Sequence, residues 1–341
     1  MTHRYHPFFP VLVLPLLLLS NVPAGAETRV GGEIKGVVEW TKAQSPYIVT
    51  ADVTIPEGST LRIGPGVVVR FKPNLADQKG VRPFDLEIAV YGTLESTGAD
   101  GDSVLLTSDA INPENAAWAG IVIPSASGLV KLDRTIIECG TSAVTVVDGT
   151  LEMTRSMVRA CSEKGIHFMR GRGRITRSYI TIVGNYAGTG KGIYLVQSPD
   201  VLIEDTFVIG AQSGIVCERG SDATIRRSLS SLCRLYGVTI TSSSPTFSET
   251  NITQNEFGIL IRGASTPRIK DCNIFDNAVW EIQVKEYRGD TPRAEIDLTG
   301  NWWGRVTIDT VYDKIEDAED DPASGGVVTI EPVRSEPYQA R

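Results

Sequence analysis

Residues 255–277 read NEFGILIRGASTPRIKDCNIFDN, and segments of this kind recur along most of the chain. Each contains a short apolar strand that is usually opened by Gly-Ile. The strands begin at Gly120, Ala143, Gly165, Gly192, Gly214, Gly237, Gly258 and Glu281, at intervals of 23, 22, 27, 22, 23, 21 and 23 residues. A period near 22 residues is too short for a helix pair or a propeller blade. It fits three short strands joined by turns, and it therefore predicts a parallel β-solenoid.

Two columns of small residues run in step with these strands. One column contains Thr135, Ser156, Ser178, Thr206, Ser228, Thr250, Cys272 and Thr299, and the other contains Cys161, Cys233, Asn255 and Asn277. Parallel strands lie about 4.8 Å apart, so residues one coil apart are stacked on each other. Stacked Asn side chains hydrogen-bond along a column, and a buried Cys fills the same position as a small apolar residue. We expect both columns to form structural ladders.

The repeat resembles that of a known family. The patterns N-x-x-G-I at 255–259 and I-x-x-C-x-I-x-x-N at 269–277 resemble the right-handed parallel β-helix repeat of secreted bacterial, pectate-lyase-like solenoid proteins. Segments 45–71 and 301–304 resemble terminal units of the same group, and the resemblance covers roughly residues 31–333. It implies an all-β, single-stranded right-handed parallel β-helix with three strands per coil, about ten coils and a cap at each end. The family includes pectin-degrading enzymes and a copper-site accessory protein of nitrous oxide reduction, so fold alone leaves activity open.

The chain ends have their own signatures. Arg4 precedes an apolar run of about 12 residues, too short to span a bilayer, and small residues precede Glu27. We therefore expect an exported protein without a membrane span, periplasmic or extracellular. The predicted organisation is a signal peptide over 1–26, an N-terminal cap over 27–50, the β-helix over 51–301, and a C-terminal cap with an acidic tail over 302–341. In that last segment, the spacing of Ile308, Val311, Tyr312 and Ile315 predicts a short amphipathic helix.

Composition excludes several classes of partner. A formal charge of -8 argues against nucleic acid as a ligand. Only His167 lies beyond the signal peptide, which argues against a His-rich metal site. The five cysteines are expected to be buried thiols, although Cys139 and Cys161 lie in neighbouring coils. We expect no cofactor and no metal.

The outward positions of the Gly-Ile strands form the predicted binding face. They are Val122, Thr145, His167, Tyr194, Val216, Thr239, Leu260 and Gln283. Longer loops at 73–83, 109–117 and 184–190 precede these strands, and in the enzymes that this chain resembles the substrate groove lies on this face. The column contains no carboxylate, whereas glycoside hydrolysis needs two. A hydrolase is therefore excluded, and any enzyme here is expected to be a lyase.

Charge is concentrated between Leu151 and Lys191, where eight basic residues outnumber two acidic ones. Stacking of the coils should bring Lys164 and Lys191 to the same turn. Tyr186, Tyr194 and Trp118 have flat rings that suit sugars, although Trp118 could equally be a core residue. The predicted ligand-binding residues are Lys164, His167, Arg170, Arg172, Arg174, Lys191, Tyr186 and Tyr194. The column Arg134, Arg155, Arg177, Asp205, Arg227, Glu249 and Asp271 is assigned to a strand on another face, with axial salt bridges.

Three functional hypotheses follow. The favoured one is an exported, monomeric, non-catalytic β-helix that binds an anionic polysaccharide or another cell-envelope partner. The second is a polysaccharide lyase on a uronate-containing glycan, which needs a Lys or Arg base and a cation for the carboxylate. The third is a periplasmic accessory protein resembling the copper-associated relatives, for which a single His is a weak basis.

Overall fold

The computed structural model describes residues 27–73, 85–110, 117–184, 190–286, 289, 295–324 and 326–339. Parallel strands stack along one axis and form three faces, which we call sheets one, two and three, and a separate two-stranded sheet pairs Glu295–Asp297 with Val327–Thr329. Sheet one contains Glu87–Val90, Gly120–Ile123, Ser142–Val146, Lys164–Met169, Lys191–Val196, Ser213–Glu218, Tyr236–Thr241, Phe257–Arg262, Trp280–Lys285 and Ile315–Glu316. Sheet two contains Val37–Trp40, Thr60–Ile63, Thr93–Thr97, Leu129–Asp133, Thr150–Thr154, Arg172–Thr176, Val201–Glu204, Thr224–Arg226, Thr246–Ser248 and Arg268–Lys270. Sheet three contains Val68–Phe71, Val104–Ser108, Thr135–Glu138, Met157–Cys161, Tyr179–Val183, Phe207–Ile209, Leu229–Ser231, Asn251–Thr253 and Asn273–Phe275.

The long strand Tyr47–Ile55 joins sheets one and three. Its first part pairs with Val68–Phe71 and its last part pairs with Glu87–Val90, while Thr28–Glu33 lies along its other side. The predicted all-β parallel β-helix of three strands per coil and about ten coils is confirmed. The division of the chain into caps and β-helix at 27–50, 51–301 and 302–341 stays a prediction. None of the described helices is long and apolar enough to cross a membrane.

Inward-facing side chains stack into continuous apolar columns. Ile166, Ile193 and Ile215 lie in register on three neighbouring strands of sheet one and are fully buried. Burial of one such side chain stabilises the fold by about 2 kcal/mol. The glycines that open these strands are required by close packing, since a Cβ on Gly165 would lie 2.4 Å from the carbonyl oxygen of Gly192.

The Ser/Thr ladder joins neighbouring coils. The backbone N–H of Thr135 donates to Ser156 Oγ (3.0 Å), and that of Ser156 donates to Ser178 Oγ (3.2 Å). The same contact joins Thr206 to Ser228, and Ser228 to Thr250. These contacts form a hydrogen-bonded ladder through these coils. At the end of the ladder, the predicted membership of Thr299 was wrong. The N–H of Cys272 donates to Asn301 Oδ1 (2.9 Å), which places Asn301 in the column.

The second column is also a ladder. The N–H groups of Cys233 and Asn255 donate to Asn255 Oδ1 and Asn277 Oδ1, both at 3.0 Å. Cys161 occupies the equivalent corner in an earlier coil and is fully buried. All five cysteines of the chain are free and buried, Cys139 included. Burial raises the pKa of Cys161 to about 12, as expected for a thiol that packs as an apolar side chain.

The charged column does not lie on a strand. Its members occupy single-residue turns between sheets two and three, with φ between 45° and 56°, and are Arg134, Arg155, Arg177, Asp205, Arg227, Glu249 and Asp271. The left-handed turn folds the chain from one sheet into the next, so these side chains project at a corner of the solenoid. The expected axial pairing is found at Asp205, which accepts from Arg227 Nε at 2.8 Å.

The C-terminal region differs in detail from the sequence expectation. The helix covers Ile308–Tyr312 and ends before Ile315, whose strand pairs with Ile282 at the open edge of sheet one. An edge strand needs hydrogen-bond partners, which explains why the chain leaves the helix there. Val311 is buried against the core, but Tyr312 is 40% exposed. Trp118 is likewise a core residue, stacked on Phe71 at 3.8 Å and inaccessible to a sugar.

Candidate functional site

Two stacked strands of sheet one bring four of the predicted site residues together. Lys164 is in register with Lys191, and His167 is in register with Tyr194. The rings of His167 and Tyr194 are stacked with centroids 4.8 Å apart, and Lys191 Nζ lies 3.6 Å from the centre of the Tyr194 ring. We call these four residues the sheet-one cluster.

Acidic side chains neutralise much of the charge in this cluster. Lys164 Nζ lies 3.0 Å from Glu163, and the hydroxyl of Tyr194 donates to Glu218 at 2.8 Å. Burial lowers the pKa of Lys191; the carboxylate of Glu218 opposes this change, and the charge of Lys164 reinforces it. The cluster therefore holds an ammonium group that loses its proton more readily than an exposed lysine would.

The rest of the expected groove on sheet one is mostly closed. Val122, Val216 and Leu260 are each at most 2% exposed, and His167 is only 7% exposed. The expectation of a surface histidine in an open groove was wrong, because Tyr194 covers one face of its ring. Tyr186 and most of the loops at 73–83, 109–117, 184–190 and 287–292 lie outside the described residues.

The three arginines that follow the cluster in sequence lie elsewhere in the structure. After Met169 the chain turns out of sheet one at Arg170, which has a φ of 61° and binds Asp148 through two hydrogen bonds of 2.8 and 3.1 Å. Arg172 and Arg174 lie on the next strand, which belongs to sheet two. The predicted ligand-binding residues therefore lie on more than one face, since the strand ends between them.

Three of the eight basic residues in this stretch, Arg155, Arg159 and Arg170, are paired with acids of the preceding coil. Arg155 binds Asp133, with Nε at 2.8 Å from Oδ1, and Arg159 Nε lies 2.6 Å from Glu138. Each of these acids lies 21 or 22 residues before its arginine. The net charge of residues 151–191 therefore overstates the charge that a ligand meets.

Three arginines of one coil stand apart. Arg172, Arg174 and Arg177 are exposed, and no carboxylate among the described residues lies within ion-pair distance of them. Arg172 and Arg174 line an open groove of about 600 Å³ on the outer face of sheet two, whose wall also includes Glu152, Asp200, Leu202 and Arg226. We call it the sheet-two groove. Sequence reasoning missed Asp200, Leu202 and Arg226, which the alternation of outward positions along sheet two would have indicated.

Metal ligands do not converge in either region. Over the residues with described structure, no three His, Cys, Asp or Glu side chains are grouped as a metal site would require. His167 and Met169 lie on the same side of one strand, but the imidazole of His167 is stacked on the Tyr194 ring. The arrangement can bind anions through guanidinium groups, and it can hold one lysine with a lowered pKa.

Comparison with known proteins places the fold. A mutant of the periplasmic alginate epimerase AlgG has a TM-score of 0.51 at 11% identity, covering 88% of this chain and 85% of that chain. An alginate lyase from Paenibacillus sp. has a TM-score of 0.45 at 11% identity, covering 82% and 93% of the respective chains. Pectate lyase Pel9A has a TM-score of 0.41 at 10% identity, covering 82% and 71%. At these identities the first likeness supports the fold alone.

The sequence comparison identifies a family. None of the curated proteins compared with the chain matches it. The family model described as the right handed beta helix region matches residues 114–244 and 192–301. Because these matches together span more than half of the 341 residues, the chain belongs to the family of proteins with a right-handed β-helix region.

Proposed function

We propose that this protein binds an anionic polysaccharide in the sheet-two groove, with Arg172 and Arg174 as the principal contacts. One observation carries the proposal: both guanidinium groups are exposed without a described carboxylate partner, whereas Arg155, Arg159 and Arg170 are paired. An ion-paired guanidinium offers few free donors to a ligand. An unpaired one offers a planar fork that matches a carboxylate.

The groove has the further features that a sugar acid needs. Arg172 and Arg174 are two residues apart on one strand, so both point outward with a separation of about 6.6 Å along the strand. Leu202 lies on the strand of the next coil, in register with Arg174, and its half-buried side chain offers an apolar surface to a sugar ring. Glu152 and Asp200 at the rim are hydrogen-bond acceptors for hydroxyl groups.

The class of ligand is inferred from the fold. The epimerase that shares this architecture acts on alginate, a polyuronate whose carboxylates suit a pair of arginines. The proposal does not extend to that enzyme's activity. Residues 1–26 support export to the periplasm or beyond, since they combine a basic start with an apolar run and small residues. Sequencing of the mature protein should then begin at Glu27.

Affinity electrophoresis in gels that contain alginate or polygalacturonate tests the proposal, with a neutral glucan as a control polymer. The double variant Arg172→Ser/Arg174→Ser should bind at least tenfold more weakly than the parent. The matched control is Arg155→Ser/Arg170→Ser, which removes two guanidinium groups that are already paired with acids. Binding by the parent should weaken with salt, because exposed charges are screened within about 8–10 Å at 0.1–0.15 M.

Two outcomes would contradict the sheet-two groove. Equal loss in the two double variants would mean that only net charge matters. A larger loss in Lys164→Ala/Lys191→Ala would place the polymer on sheet one, as the sequence first suggested. A parent protein that binds neither polyuronate would remove the proposed function altogether.

A second candidate, a polysaccharide lyase, is favoured by the lowered pKa of Lys191. Lys191 lies against the Tyr194 ring and gives up its proton more readily than an exposed lysine, as suits a base that removes a proton next to a uronate carboxylate. Incubation with the same polymers should then raise the ultraviolet absorbance of unsaturated uronate, and Lys191→Met should abolish this change. Constant absorbance with the parent protein rules the lyase out and leaves the binding proposal intact.

A further inference from the structure

The outer face of sheet three carries a continuous apolar column. Val68, Leu105, Ile136, Met157, Tyr179, Phe207 and Leu229 occupy the same outward position on seven consecutive strands. Tyr179 and Phe207 are 44% and 36% exposed, and their rings are stacked 5.0 Å apart. We call this column the apolar stripe. The other five side chains are partly exposed, and a continuous apolar surface of this kind marks an interaction site.

The chain's own C-terminal segment covers only the end of this face. Beyond Leu229 the column continues with Asn251 and Asn273, which are polar. The backbone N–H of Tyr338 donates to Asn273 Oδ1 at 2.8 Å, and its hydroxyl donates to Glu249 at 2.6 Å. Tyr179 and Phe207 remain exposed beside this covered end.

Charged corner residues flank the stripe with a definite pattern. Each lies two residues before an outward position of sheet three. Arg134 lies one coil before the part of the row that carries the pattern, and the six that follow it in chain order are Arg155, Arg177, Asp205, Arg227, Glu249 and Asp271. Their signs read plus, plus, minus, plus, minus, minus. Read backwards, the order has the opposite sign at every position. The row is therefore complementary to a reversed copy of itself.

We propose that a second copy of this chain docks on the apolar stripe, with its solenoid axis antiparallel, through a two-fold axis parallel to the strands of sheet three. Rotation about such an axis keeps the corner rows side by side and reverses their order. With the axis between Asp205 and Arg227, each of these faces the other residue in the second copy. Arg177 then meets Glu249 of the second copy, and Phe207 meets its Leu229. This dimer replaces the monomer expected from the sequence.

The interface is of modest size. Six coils at about 4.8 Å per coil give a contact about 24 Å long. A single strip of this length buries less surface area than the interfaces of obligate dimers. We therefore expect a dimer that dissociates on dilution. Arg177 is the most informative residue, since it is exposed with no described ion-pair partner, and Glu249 contacts a tyrosine hydroxyl rather than a cation. Opposite charges across an interface favour one orientation over others.

Charge reversal tests this arrangement. In Arg177→Glu, two like-charged pairs face each other across the dimer, and the same holds for Glu249→Arg. Each variant alone should raise the dimer dissociation constant at least tenfold in sedimentation velocity. An equimolar mixture should restore dimers, because a heterodimer contains two opposite-charged pairs. Both positions have φ near 50°, and each change replaces one long side chain by another, so the turns should be preserved.

The control variant is Arg268→Glu. It makes the same charge change on the exposed face of sheet two and should leave the dimer unchanged. A parent protein that stays monomeric at about 100 µM would overturn the proposal, since a specific interface should assemble there. A parent dimer whose single variants dimerise normally, or whose mixture stays monomeric, would also overturn it. Tyr179→Ser/Phe207→Ser should weaken the dimer without affecting the polyuronate binding of the sheet-two groove.

Discussion

Lys191 lies at the start of a sheet-one strand, with its ammonium group against the Tyr194 ring and beside the charge of Lys164. Its environment comes from three different coils, because Glu218 reaches it from the next strand. Burial favours the neutral amine, and the folded state therefore binds this proton less tightly than the unfolded chain does. Where the unfolded chain holds more protons, stability rises with pH. The contribution of Lys191 to stability thus improves as pH rises through its folded-state pKa towards 10.5.

An NMR titration that follows the lysine side-chain carbons should measure how these neighbouring charges change the pKa of Lys191. Lys164→Met should raise the pKa of Lys191, because one nearby positive charge is removed. Glu218→Gln should lower it further, because the compensating carboxylate is removed. A short lysine peptide is the reference. If Lys191 titrates together with this peptide in all three proteins, its burial has no electrostatic consequence.

For single residues, the sequence predicted the positions of side chains more accurately than their exposure to solvent. The stacking of Lys164 on Lys191 and of His167 on Tyr194 followed from counting residues between strands. The burial of His167 did not follow from the sequence. The period of a strand determines the direction in which a side chain points, but not which other residues cover that side chain. The pairs Asp133–Arg155 and Asp148–Arg170 were readable in principle, since both span 22 residues.

Strands and turns are held in register by contacts that repeat at every coil. Four ladder hydroxyls accept the N–H of the preceding coil and donate to the carbonyl two residues earlier, as Ser228 does with Thr206 and Arg226. The alternation and the ladders were predictable because each position repeats many times. The corner residues were misassigned to a strand, since charged residues in left-handed turns give no periodic signal of their own.

Removal of one ladder hydroxyl should expose its contribution. Ser228→Ala leaves the buried N–H of Thr206 without its acceptor, and we expect a loss of about 1–3 kcal/mol in the free energy of unfolding. Ser127→Ala removes a hydroxyl in an exposed turn and should change stability by less than about 0.5 kcal/mol. Urea denaturation followed by circular dichroism measures both. Equal effects would show that the ladder contributes nothing beyond ordinary solvation.

The whole molecule is a stack in which each coil contacts mainly its neighbours. Its ends are the exception, since Ile315–Glu316 pairs with the last strand of sheet one and Tyr338 binds Asn273. The sequence identified the terminal regions from a family resemblance. It did not give the tail's path over sheet three, because that contact is made once and leaves no repeat.

Deletion of one complete period tests this description. Removal of residues 229–250 joins Ser228 to Asn251, which stands one coil later in the same register. The shortened chain should fold with an unchanged circular dichroism spectrum and a urea m-value lower by about one tenth. Removal of 229–249 is the matched control, because a shift of one residue turns every following side chain to the opposite face. A folded control would show that register is not set by the ladders.

The Ser/Thr ladder has one more consequence, for how such a molecule changes over evolutionary time. An insertion of whole coils preserves every contact between neighbours, whereas an insertion of intermediate length breaks the ladder wherever a turn cannot absorb it. The length of the solenoid is therefore a discrete variable that changes in steps of about 4.8 Å. Any surface that runs along its axis lengthens by the same step. A descendant of this chain could adapt to a longer polymer by gene duplication of a 22-codon unit, with no new side chain required at the interface between coils.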